Sequence, residues 1–295
     1  MTITQYMVFA KAMETGSFTK AAQALNMTQP AVSHAISGLE SDLGVSLIVR
    51  DRRKGIVLTD VGQRVLVQIR EILQRIENIE QIAAAEKGLE VGTIRIGTFP
   101  SAAAHFFPKI IDFFQRNYPN LRLELHEGTI EEVKEWLRTR VVDAGIIILP
   151  DGKMDHIPIL RDKMVAVLRD DHPLCLRASV TINDLDSEPL IVCHGGYDAP
   201  IIEMFHQAGV RLNIAYGVYN VNTVLNMIKE GLGAAILSGL SLTHLPPGIQ
   251  TRDLEPRVYR DVSIAVPSLP ECSLAVQLFI KTMKQLFAPD SNMFQ

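Results

Sequence analysis

Gly16-Ser-Phe-Thr-Lys-Ala-Ala-Gln-Ala-Leu-Asn-Met-Thr-Gln-Pro-Ala-Val-Ser-His-Ala-Ile-Ser-Gly-Leu-Glu-Ser-Asp-Leu-Gly44 is the stretch whose reading decides the fold. Ser17 is placed to cap a first helix whose Ala21, Ala22 and Leu25 recur on one face. A short Asn26-Met27 turn follows. Thr28 offers a second N-cap, and Pro30 is tolerated in the first helical turn. Val32, Ile36, Leu39 and Leu43 then run at spacings of four, three and four. With that stripe turned inward, Gln29, Ser33, His34 and Ser37 face out. Small and amide side chains on the leading turns of a second helix suit phosphate and base-edge contacts, so Ser17, Thr19, Thr28, Gln29, Pro30, Ser33, His34 and Ser37 are the candidate DNA-contacting residues. Two amphipathic helices in any helical domain share this pattern, and the flanking residues discriminate.

On the amino-terminal side, residues 2–15 predict a helix with Tyr6, Phe9, Ala10 and Met13 on one face, the third helix that a buried core requires. On the carboxy-terminal side, two short β-prone runs enclose a basic turn and read as a wing. Arg50, Arg52, Arg53 and Lys54 are candidates to reach phosphates or the minor groove. A solvated hairpin tip has the same composition; beside a helix-turn-helix, DNA contact is favoured. Charge agrees. The chain carries −4 overall, yet residues 1–58 carry +2 and the remainder −6. Clustering of bases matters more for phosphates than the total.

Phe9, Gly16-Ser17-Phe18, Ala21-Ala22, Leu25, Gln29-Pro30-Ala31-Val32-Ser33, Ile36, Leu39-Glu40, Leu43-Gly44, Leu47, Arg50, Leu58-Thr59 and Gly62 match, in order and spacing, the amino-terminal signature of the LysR-type bacterial transcription regulators. The chain resembles that family along its length, in its carboxy-terminal part more by pattern than by residue. It departs from the usual family pattern at Ile48, where Phe is common, at His34, where Arg or Gln is common, and at Ser238, where Pro is frequent.

Thr59 caps a predicted helix running to about Lys87. Val65, Ile69, Ile72, Ile76, Ile79 and Ala83 follow a 3.5-residue repeat, a seam that wants a partner helix. A core helix of a larger domain is the other reading. The resemblance implies pairing through this helix, hence a homodimer and further a homotetramer. From Gly92 the period changes to alternating strands and helices, an α/β pattern with a mainly parallel sheet expected.

The expected fold class is therefore α/β plus winged helix. A winged helix-turn-helix covers 1–58 and a linker helix 59–88. The two-lobed, periplasmic-binding-protein-like effector domain implied by the resemblance covers 91–295, with lobe I at about 91–161 and 267–295 and lobe II at about 162–266. The crossings between lobes are expected near Arg161–Met164 and Val262–Val266.

In open α/β sheets, strand carboxyl ends and helix amino ends line the ligand crevice, and free N–H groups there favour an anion. Thr98, Pro100, Ser101, Ala102, Thr129, His194 and Thr223 stand at such junctions and are the candidate effector-binding residues. The pattern fits simple helix caps equally well. Glu131 and Glu132 already compensate the dipole of the Thr129 helix. No arginine stands in these loops to clamp a carboxylate, yet a small carboxylate or similar anion is the leading ligand class.

The chain shows no GxGxxG after a strand, no P-loop, no G-x-S-x-G and no HExxH, which opposes an enzyme. Gly231–Gly233 precedes a strand and is no phosphate loop. Asp170-Asp171-His172 supplies too few metal ligands. Cys175, Cys193 and Cys272 are widely separated, so neither disulfides nor a cysteine zinc site is expected; Cys193 is read as a structural thiol ahead of a redox sensor. With neither a membrane-length apolar run nor a signal peptide, the protein is expected in the cytoplasm, without membrane or cofactor. Its expected partners are a double-stranded DNA operator, a small-molecule effector and, by the resemblance, RNA polymerase.

Overall fold

The computed structural model describes residues 1–51, 55–148, 152, 154–194 and 198–287. They fall into two units: Met1–Gly92 with the short segment Arg138–Val141, and the remainder.

The first unit is built from capped helices. Helix α1 (Ile3–Thr15) opens with a reciprocal box in which the Gln5 backbone N–H donates to Thr2 Oγ1 and the Thr2 backbone N donates to Gln5 Oε1. It ends at Gly16, whose φ of 62° a residue with a Cβ adopts only with strain. Ser17 caps α2 (Phe18–Ala24) and Thr28 caps α3 (Gln29–Leu43), as their positions predict. Phe9, Ala12, Phe18, Ala21, Val32, Ile36 and Leu39 close one core with Leu47, Leu66 and Ile69.

Strands β1 (Ile48–Asp51) and β2 (Gly55–Leu58) pair antiparallel as the wing; Arg52, Arg53 and Lys54 lie outside the described residues. Glu40 ties α3 to β1, its Oε1 accepting from the N–H groups of Leu47 at 2.7 Å and Ile48 at 3.2 Å. Helix α4 (Asp60–Ala85), about 39 Å long at 1.5 Å per residue, starts under Thr59, whose Oγ1 accepts from Gly62 N. A Cβ at Gly62 would overlap the Leu47 carbonyl oxygen, so α4 meets the wing only because position 62 has no side chain.

The second unit runs β3 (Gly92–Thr98), α5 (Pro100–Asn117), β4 (Leu121–Glu127), α6 (Ile130–Arg138), β5 (Ala144–Ile148), β6 (Asp155–Arg169), β7 (Ser179–Thr181), β8 (Pro189–Cys193), α7 (Asp198–Ala208), β9 (Asn213–Val218), α8 (Val221–Lys229), β10 (Ala235–Ser238), β11 (Ile249–Glu255), β12 (Tyr259–Val266) and α9 (Leu274–Phe287). Among the described residues the main sheet is ordered β4-β3-β5-β12-β6-β11-β7, with β10 also on β6, and β8 pairs β9 beside it. The expected mainly parallel sheet is in fact mixed. β3–β5 and β8–β9 are parallel, but β12 is antiparallel to β5 and β6, as are β10 and β11 to β6.

Two separate cores make two lobes. Ile94, Ile96, Phe106, Ile110, Phe114, Ile146, Ile264 and Phe279 fill the first; Val167, Leu190, Ile201, Phe205, Val224, Ile228 and Ile236 fill the second. Strand β6 serves both, placing Ile159 in the first core and Met164 to Leu168 in the second. That crossing lies where the sequence predicts it. The other does not. Val258 packs against the second core, whereas Val262, Ile264 and Val266 belong to the first and Val262–Ala265 pair with β5, so the chain returns to lobe I in the first residues of β12, between Val258 and Val262. The apolar run at 262–266 marks the part of β12 buried within the sheet of lobe I, just past the crossing. The amino-terminal half of β6 escapes sequence reading because Pro158 interrupts it. Pro158 is accommodated at a register shift opposite Val262/Ser263, where a ladder donor is dispensable.

The Gly62→Ala variant is expected to lose on the order of 1–3 kcal/mol from overpacking against the Leu47 carbonyl, read as a lower urea midpoint of the full chain. An unchanged midpoint would show that α4 can shift away from the wing without cost.

Candidate functional site

The outer face of α3 has the composition its spacing predicts. Val32, Ile36 and Leu39 are buried; Gln29, Pro30, His34 and Ser37 are exposed and Ser33 is half-buried. Thr28 spends its hydroxyl on the Ala31 N–H, and Ser17 on the Lys20 N–H, so both serve as helix caps whatever else they touch. Thr19 is exposed on α2. Arg50 lies on β1 and its side chain, like Arg52, Arg53 and Lys54, is outside the described residues.

In the second unit the candidate residues divide. Thr98 ends β3 fully buried, its carbonyl accepting from Gly128 N at 3.0 Å. Pro100, Ser101 and Ala102 form the first turn of α5, whose N-cap Phe99 supplies no side-chain acceptor. The starts of α6, α8 and α9 are closed by their own side chains. Thr129 donates its N–H and hydroxyl to Glu132 Oε2 and accepts from Glu132 N; the two hydrogen bonds to the carboxylate hold Glu132 below its usual carboxylate range. Asn220 accepts from the N–H groups of Asn222 and Thr223, and Ser273 from that of Val276. Asn220 was not among the sequence candidates, which placed the start of α8 at Thr223; an amide three residues upstream of Thr223 is the signal that finds it.

His194 follows β8, its ring 5.1 Å from the exposed Tyr219 ring, and its backbone N–H donates to Val218 O at 2.7 Å. A side chain at Gly217 would displace that imidazole. Cys193 is buried, and all three cysteines are free thiols; burial pushes Cys175 above its ordinary value.

Two family descriptions match. Residues 3–63 fit the bacterial regulatory helix-turn-helix protein, lysR family, and residues 87–288 fit the LysR substrate binding domain. The chain is a LysR-family transcriptional regulator. The uncharacterized HTH-type transcriptional regulator YvbU of Bacillus subtilis is 60% identical across 98% of this chain and 100% of its own. The probable regulator LrrA of Synechococcus elongatus is 33% identical over 97% of each. Among solved structures, a full-length OxyR variant from Pseudomonas aeruginosa overlays with a TM-score of 0.80 at 24% identity, covering 97% of this chain and 94% of that one. This likeness shows the fold. LysR-family members are DNA-binding regulators carrying an effector-binding domain, and they are not enzymes. No described helix of this member is long and apolar enough to cross a membrane.

The linker seam of this LysR-family chain divides into buried and exposed positions. Ile69 is 2% exposed and packs with Leu66 in the first unit's own core, with Val65 against it. Ile72 and Ile79 are exposed, at 41% and 66%, together with Ile82, which the 3.5-residue repeat did not include; Ala83 is exposed and Ile76 half-buried. Met1, Tyr6, Leu43, Val61, Val65, Ile69 and Ile72 line an apolar pocket of about 350 Å³, with Arg64 and Gln68 at it.

Further along α5, His105 stacks edge-on to Phe106 at 4.8 Å. Burial holds its imidazole below the ordinary histidine value, Lys109 adds to the effect, and Asp162 opposes it. The folded chain thus disfavours the protonated form. Its contribution to stability is present above the unfolded value of about 6.5 and is lost as pH falls through the lower folded value. Melting of the wild type is expected to fall between about pH 7 and 5, and the His105→Gln variant to show a shallower fall over the same range; equal slopes would remove His105 as a contributor.

Proposed function

We propose that this regulator reads its operator through the outer face of α3 and the wing, and that a small anionic metabolite, a carboxylate foremost, binds at the start of α5 and changes operator binding. The observation that carries the effector reading is the uncapped first turn of α5. Pro100 has no N–H, and the N–H groups of Ser101 and Ala102 precede the first intrahelical bond, while α6, α8 and α9 fill the same role with their own side chains. An anion is the natural partner of such a turn, next to the buried end of β3. Thr98, Pro100, Ser101 and Ala102 are the effector residues this reading retains. Thr129 and Thr223 act within helix caps, and His194 borders the second-lobe side at the end of β8.

Operator reading rests on the exposure of Gln29, His34 and Ser37 along one helix, held by Glu40 and the wing. Gln29 and Ser33 take base-edge contacts, and Arg50, Arg52, Arg53 and Lys54 take phosphates. The exposed Ile72, Ile79 and Ile82 and the apolar pocket beside Ile69 and Ile72 support pairing of two copies through α4. A tetramer and contact with RNA polymerase extend the same reading. The solved structure of CbnR with its target DNA, similar over 97% of this chain at 20% identity and a TM-score of 0.64, has the fold that this reading requires.

Replacing Gln29 or Ser33 by Ala is expected to weaken operator binding by roughly 5- to 150-fold in a titration at fixed salt, the loss of one base contact worth about 1–3 kcal/mol. The melting temperature should stay within a degree or two. Undiminished affinity in both variants would move base reading off this face of α3.

In a thermal-shift screen of the full chain against small carboxylates, amino acids and inorganic anions, a true effector at about a hundred times its Kd should stabilise by roughly 2.7 kcal/mol. Ser101→Pro, which removes a first-turn N–H, should abolish the shift. Retention of the full shift in that variant would place the ligand elsewhere.

A further inference from the structure

Asp162 and Arg260 face each other across the β6–β12 ladder, in register, at the point where the chain passes between the lobes. Both side chains are 2% exposed. Arg260 Nη2 donates to Asp162 Oδ2 at 2.6 Å and to Ser238 Oγ at 2.6 Å, and the Leu240 backbone N–H donates to Asp162 Oδ1 at 2.9 Å. Ser238 and Leu240 belong to a segment with divided loyalty. Strand β10 up to Ser238 pairs with Met164–Val167 and sits in lobe II. Leu240, two residues on, is buried in the core of lobe I, and Leu242 packs back against the core of lobe II. The lobes therefore meet at a third place besides the two crossing strands, and the carboxylate of Asp162 holds all three chain segments together.

We infer that Asp162, Arg260 and Ser238, with Leu240 as the inserted side chain, form a latch that couples the two lobes of the regulatory domain. A buried ion pair is a poor device for raw stability, because removing both charges from water offsets most of their attraction. What it does well is specify one arrangement. Here it has one specific geometry, with Arg260 Nη2 shared between the Asp162 carboxylate and the Ser238 hydroxyl and the carboxylate shared between guanidinium and the Leu240 backbone. A rotation of one lobe about the crossing strands must strain these bonds or draw Leu240 from its core. The latch thus sets the resting arrangement against which an effector in this domain works. Only this last consequence rests on the effector reading; the latch itself is tested without ligand.

The test is native-state hydrogen exchange on the full chain, reading Ile146 in β5 for lobe I and Val167 in β6 for lobe II. Ile110 is fully buried in the lobe I core, and Ile110→Val perturbs that lobe alone. With the latch intact, Ile110→Val is expected to accelerate exchange at both reporters by the same factor, about 2- to 12-fold. In an Asp162→Asn background it should accelerate Ile146 and leave Val167 unchanged. If Asp162→Asn fails to fold, Leu240→Ala or Ser238→Ala supplies the background. Acceleration of Ile146 alone in the latch-intact chain would overturn the proposal, because the lobes would then be uncoupled from the outset. Equal acceleration of both reporters in the latch variants would overturn it as well, because coupling would then run through the crossing strands alone.

Discussion

Strand β6 is the member on which the second unit depends. Its fifteen residues pair with β12 along one stretch and with β10 and β11 along the other, and its buried side chains enter two different cores. A strand cannot bend sharply without giving up ladder bonds, so a single ladder running through both lobes fixes where each can lie. The one irregularity it allows is the bulge at Pro158. The loop after β3 and the start of α5 take their positions from the sheet this ladder organises.

The first unit answers a different constraint. It is small, and its core of about a dozen buried residues leaves little margin, so its helix ends are closed by side chains in sequence: Thr2, Ser17, Thr28 and Thr59. Each cap removes a choice about where a helix begins and therefore which face of α3 turns outward. Glu40 completes the arrangement by accepting two wing N–H groups, a bond that a sequence reader assigns to a solvated helix surface. Gly62 does the same by its absence of a side chain. The family signature contains both positions; the reason for each appears only once the wing is folded against the helices.

Legibility followed range. Helices α1 to α4 were readable because caps, glycines and the 3.6-residue stripe act within a few residues of one another. The α/β alternation was readable for the same reason. The sheet was misjudged as mainly parallel, because β12 arrives from beyond a hundred residues away to lie antiparallel between β5 and β6, and nothing local to Val262–Val266 records that neighbour. Thr98 and the start of α5 were picked out by their place at a strand end, and the structure keeps them at that junction. Thr129 and Thr223 were picked out by the same rule; the Thr129 hydroxyl serves a cap with Glu132, and the Thr223 N–H is itself capped by Asn220, since a helix start reads alike in sequence whichever group closes it. Ile69 shows the limit from the other side: a seam position by its spacing, it is consumed by the core of its own unit, while Ile82 outside the repeat is exposed.

The sequence by itself determined that this chain carries a helix-turn-helix with a wing, a long apolar-striped helix and an α/β domain, because those features are written in periodicities and caps shorter than twenty residues; the family was carried by the signature residues between Phe9 and Gly62. Only the tertiary structure decided which helix start was left open, which linker residues stayed exposed, and that Asp162, Ser238, Leu240 and Arg260 meet. Those outcomes turn on which long-range partners saturate each hydrogen-bonding group and bury each apolar one, and residues 98 positions apart leave no local trace of having met.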